Sequence, residues 1–132
     1  MRRFSLWSPV VVYMAAIFYV SSLHEVSIPG GVSDFSAHRL AYLGLSLVVV
    51  RAVAGGLPRR FGVRVAAVAV LITAASGASD EIHQMFVAGR TADWRDLLAD
   101  VEGALIGTIA CWAWGILSRI SEPTRGHSRD EL

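Results

Sequence analysis

The stretch FSLWSPVVVYMAAIFYVSSL, Phe4 to Leu23, runs for twenty residues without one charged side chain. At a rise of 1.5 Å per residue, a helix of this length crosses the roughly 30 Å of hydrocarbon in a bilayer. Arg2 and Arg3 precede it, and Trp7 lies where an interfacial aromatic anchor belongs. The same pattern fits a secretory signal peptide, but three further apolar segments favour a retained helix. They run from about His38 to Leu57, from Val63 to Ser79 and from about Val101 to Leu117. Arg51 interrupts the second, where a long side chain can snorkel to the near surface. The expected fold class is therefore all-α: a polytopic membrane protein with about four transmembrane helices in one small bundle. That domain is expected over residues 1–120, followed by a polar, disordered tail over 121–132.

Composition points the same way. Of 132 residues, 54% are hydrophobic and 17% charged, where a soluble domain has about 25% charged. Mean hydropathy is +0.50. All twelve basic residues are Arg, which a GC-rich coding bias explains as well as any need for guanidinium. The single Cys111 has no partner for an intrachain disulfide and reads as a buried, inert thiol. No basic groove interleaved with aromatics is present, so nucleic acid is not an expected partner.

Charge distribution orients the spans. Arg2, Arg3, Arg51, Arg59, Arg60, Arg64, Arg119, Arg125 and Arg129 fall on one side. The other side has Arg39, Arg90 and Arg95 among Glu25, Asp34, Asp80, Glu81, Asp93, Asp96, Asp100 and Glu102. The positive-inside rule then expects both termini in the cytoplasm of a bacterial plasma membrane, with the acidic cluster facing outward. Pro29-Gly30-Gly31, Gly55-Gly56-Leu57-Pro58 and Gly89 break the chain between spans.

Helical spacing organises the outer residues. Asp34, His38 and Tyr42 are four apart and share a face, as do Asp80 and Gln84. Asp96, Asp100, Gly103 and Gly107 form one stripe on the fourth helix, polar above and small below. Gly103 and Gly107 are expected to let a neighbouring helix approach closely. Each residue has a bland reading. His38 could bond Asp34 at a helix cap, and Arg90 could make a structural ion pair with Asp80, Asp96 or Asp100. Asp93, Arg95 and Glu102 would be solvated. Together, though, the carboxylates, His38, Gln84 and Arg90 exceed what capping requires. Arg90 is expected to be the principal counter-charge, its guanidinium bridging two carboxylates. The ligand-pocket candidates are Asp34, His38, Tyr42, Asp80, Glu81, Gln84, Arg90, Asp96 and Asp100.

Several of these residues form a pattern that resembles the VanZ-like family. They are Ser21-Ser22, Asp34-x3-His38-x3-Tyr42, Ser79-Asp80-Glu81-x2-Gln84-x-Phe86-x3-Arg90 and Asp96-x6-Gly103-x3-Gly107. The resemblance spans residues from about 15 to 110. It implies an integral membrane protein of several helices, in a family whose founding member is associated with low-level resistance to teicoplanin. This chain has Phe35 where the family usually has Lys, Asp100 where it has Asn, and Ala88 where it has Pro.

The functional expectation is a polar pocket, facing outward, that binds membrane lipid, a lipid-linked cell-wall precursor or another envelope ligand. The alternatives are an enzyme using Asp80, His38 and Asp100 on a lipid or peptidoglycan precursor, and a structural partner in a membrane complex. The chain has no HExxH, no Ser or Cys nucleophile motif and no phosphate-gripping glycine loop, which favours binding over turnover and assigns no catalytic residue. No cofactor and no metal is expected. The nearest approach to a ligand set is Asp80 with His83, or these with His38 and Asp100. Oligomeric state is not legible.

Overall fold

A computed structural model describes residues 2–23, 33–56 and 61–120 of the chain. The breaks at Pro29-Gly30-Gly31 and Leu57-Pro58 and the tail expected to be disordered lie outside them. The described residues form four α-helices and no strand: α1 (Arg2–Ser21), α2 (Asp34–Val53), α3 (Val63–Gln84) and α4 (Trp94–Ile120). Each is long and apolar enough to cross a membrane.

The helix ends differ from the apolar runs for local reasons. α2 starts at Asp34 because Ser33 caps it, its hydroxyl accepting from the Ser36 N–H at 3.3 Å. It stops before Gly55, which takes φ +76°. There the Gly55 N–H reaches Ala52 O and the Gly56 N–H reaches Arg51 O, a paired closure that favours glycine. Arg51 thus falls in the last turn, where a cation suits the helix dipole. α3 continues past Ser79 to Gln84, and α4 starts at Trp94 rather than Val101. Asp93 explains that start, since its Oδ1 accepts from the Arg95 N–H at 2.9 Å. The acidic residues therefore ride on helical turns.

α2 is the centre of the bundle. It packs most extensively on α4, then on α3 and α1, while α1 touches α3 only lightly. The α2–α4 seam is close because a Cβ at Gly103 would meet Arg39 O and lie 2.8 Å from Leu43 N. One at Gly107 would meet Ser46 Oγ and lie 2.7 Å from Leu43 O. Leu6, Val10, Tyr42, Leu45, Val49, Val50, Ala52 and Ala69 make the apolar core. The surface is inverted relative to a soluble protein. Phe4, Tyr19, Leu40, Leu71, Ile109 and Trp114 are exposed, while Asp80, Glu81, Gln84, Asp100 and Thr108 are buried. Hydrocarbon solvates the first group at no cost, whereas the second must find partners inside.

Candidate functional site

The C-terminal ends of α1 and α3 meet the N-terminal ends of α2 and α4 at one end of the bundle, and the polar residues converge there. Asp80, in the last full turn of α3, is 2% exposed. Its Oδ1 accepts from the Ser21 hydroxyl of α1, and its Oδ2 accepts from Gln84 Nε2 at 3.2 Å. Asp100, on α4, is fully buried, and its Oδ1 lies 3.0 Å from Nδ1 of His38 on α2. Space for that carboxylate comes from Gly77, where a Cβ would sit 2.6 Å from Asp100 Oδ2. Glu81 turns back over the α3–α4 connection, and its Oε2 accepts from the Asp93 N–H at 2.9 Å. One carboxylate thus fixes the residue that caps the next helix.

A cavity of about 330 Å³ opens between α1 and α2 beside this cluster. Tyr13, Ala16, Ile17, Val20, Ala37 and Ala41 give it apolar walls. Asp34, His38, Tyr42, Asp80 and Arg90, five of the nine pocket candidates, give it a polar end. Glu81, Gln84 and Asp100 are not in its lining and form a buried layer behind it. Asp96, one turn before Asp100, stays half-buried.

Two expectations need correction. Arg90 does not bridge carboxylates: among the described residues the ion pairs are His38–Asp100 at 3.0 Å and Arg39–Glu102 at 3.6 Å. The reason is geometric, since Asp80 is engaged by Ser21 and Gln84 while Asp100 faces His38. Arg90 lines the cavity instead, and its buried Nε has no hydrogen-bond partner. Nor does His38 cap its helix through Asp34, because Ser33 is the cap and the imidazole faces Asp100. Arg39 turns away from the cavity toward Glu102, with its guanidinium 5.6 Å from the centroid of the Phe35 ring. His83 is engaged with α1, stacked on Phe18 at 3.9 Å and 2.9 Å from Ser22 Oγ, so it does not join Asp80 in a ligand set. One donor atom each from His38, Glu81 and Asp100 do lie within 4.8 Å of one another.

Sequence reasoning missed Ser21, Gly77 and Asp93 as parts of this site. Ser21 and Gly77 carried readable signals, a hydroxyl ending an apolar span and a glycine within an Ala-rich helix.

The VanZ/LLP1 family model matches residues 10–117. The chain belongs to the VanZ/LLP1 family. No curated protein and no solved structure matches it. In this VanZ/LLP1 membrane protein the matched range takes in the whole cavity lining, the buried carboxylates and the Gly103/Gly107 seam. Asp100, in place of the Asn usual in the VanZ-like pattern, is the residue that holds His38.

Proposed function

We propose that this protein binds an amphiphilic envelope ligand, a lipid or lipid-linked precursor with an anionic head group, in the cavity between α1 and α2. The observation that carries this reading is the cavity's division into apolar walls and a polar end, with an unbridged Arg90 at that end. An acyl or isoprenoid chain suits Tyr13, Ile17 and Val20. A phosphate or carboxylate suits a guanidinium that makes no ion pair among the described residues. Protein lipid mass spectrometry after gentle detergent extraction tests it. Ala37→Leu, which fills the cavity, and Arg90→Ala should each lower retained anionic lipid by about tenfold or more. Because Arg90 makes no ion pair among the described residues, Arg90→Ala should change stability by less than about 1 kcal/mol. Unchanged lipid retention in both variants would sink the reading.

The excess of Arg at the opposite ends of the spans supports placing this cavity on the outer side of the membrane. In a Cys111→Ala background, cysteine at Ala88 should react with an impermeant maleimide from outside, and cysteine at Gly126 should not. The reverse pattern would move the cavity to the cytoplasmic side.

A second reading, an enzyme acting on a lipid or peptidoglycan precursor, draws on His38. Its ring lines the cavity while Nδ1 is held by Asp100, the arrangement that orients an imidazole for proton transfer. Turnover of a cavity lipid that is lost in His38→Gln, with lipid retention preserved, would favour it over simple binding.

A further inference from the structure

Among the described residues, the junction of α2, α3 and α4 holds more carboxylates than it has cationic partners. Asp80, Glu81 and Asp100 are all buried. Among the described residues, Arg39 is committed to Glu102 and Arg90 makes no ion pair. Among the described residues, His38 faces the cluster with a ring nitrogen, and its hydrogen bond goes to Asp100. Two carboxylate oxygens are left over: Glu81 Oε1 and Asp100 Oδ2 are buried without a hydrogen-bond partner. Their residues are 7% and 0% exposed. An unpartnered carboxylate oxygen in such a place carries a large desolvation cost unless something positive meets it.

The geometry points to that partner. We propose that His38, Glu81 and Asp100 bind one divalent transition-metal ion of the zinc or manganese type. One donor atom from each residue lies within 4.8 Å of the other two. That span suits a shared centre, since two donors on opposite sides of an ion at 2.0–2.4 Å stand roughly 4–5 Å apart. The 3.0 Å between His38 Nδ1 and Asp100 Oδ1 also suits adjacent donors on one ion, which stand about 3.0–3.4 Å apart for bonds of about 2.1 Å. One imidazole with two carboxylates is a mixed nitrogen and oxygen set. It fits zinc or manganese better than magnesium or calcium, which favour oxygen alone. The ligands come from three different helices, so the ion would tie α3 to the α2–α4 pair. The Glu81 oxygen that accepts from Asp93 N–H is the other one, Oε2, so ligation through Oε1 leaves the start of α4 capped. This site uses a different layer of residues from the lipid cavity, apart from His38, and stands whether or not that cavity binds lipid.

The test is made on the full-length chain in detergent, stripped with EDTA and re-equilibrated with Zn2+ or Mn2+. After desalting, the wild-type protein should retain about one ion per chain, and its unfolding temperature should rise with free metal concentration. Glu81→Gln and Asp100→Asn keep the side-chain shape and should each lower metal affinity at least about tenfold and remove the thermal shift. Glu102→Gln, on the exposed face, should leave both unchanged. Stripped wild-type protein that neither retains the ion nor shifts would overturn the site without recourse to any variant. Retention that persists unchanged in Glu81→Gln and Asp100→Asn would overturn it too, because the ion would then be bound elsewhere.

Discussion

Gly103→Leu should destabilise the bundle by about 3 kcal/mol or more, measured by reversible unfolding in mixed micelles. The added atoms would meet the backbone of α2 at Arg39 and Leu43, and a helix backbone cannot yield as a side-chain tip can. Gly107→Leu should be nearly as harmful, because Leu43 O as well as Ser46 Oγ stands in the way. Lipid tails are as apolar as leucine, so close packing rather than a hydrophobic gain holds this seam. Ile106→Leu, on the exposed face one residue before Gly107, is the control and should stay within about 0.5 kcal/mol. Leucine at both glycines with unchanged stability would mean that α4 does not pack on α2 through this stripe.

The second large effect concerns the His38–Asp100 pair in metal-free buffer. His38→Leu removes the one hydrogen-bonding partner that a fully buried carboxylate has among the described residues and should cost about 3–5 kcal/mol. Replacing both residues by leucine should recover much of that loss, because no charge is then left buried alone. The cycle should therefore show a coupling of about 2 kcal/mol or more. Asp100→Asn should be mild in the absence of metal, since an amide can still bond the imidazole. Additive single and double mutants would show that the two side chains do not meet.

The fold was legible from hydropathy because four uncharged or nearly uncharged runs leave a helical membrane bundle as the only economical solution. The faces were legible from spacing: Asp34, His38 and Tyr42, or Asp80 and Gln84, lie one turn apart wherever the helix packs. Which face meets which was not legible. Nothing in the chain tells that Asp80 takes its hydrogen bond from Ser21, fifty-nine residues away, or that Asp100 reaches His38 rather than Arg90. Those pairings depend on Gly77, Gly103 and Gly107 setting how near the helices come, a property of three dimensions. The helices extend beyond the apolar runs for a related reason. Hydropathy marks where lipid could begin, whereas Ser33, Gly55 and Asp93 mark where backbone hydrogen bonding starts and stops.

The attachment of α1 has a mechanical consequence. At the cavity end this helix is fastened to α3 by two hydroxyl groups, Ser21 on Asp80 and Ser22 on His83, with the Phe18 ring stacked on His83. Polar bonds of this kind between membrane helices are worth about 0.6–2 kcal/mol each. Breaking both would cost about 1–4 kcal/mol, while Leu6 and Val10 would still hold α1 in the apolar core. The α2–α4 seam, interlocked backbone to backbone, has no such release. The α1–α3 contact at the cavity end is accordingly the lightest seam of the bundle, held by polar bonds rather than by close backbone packing.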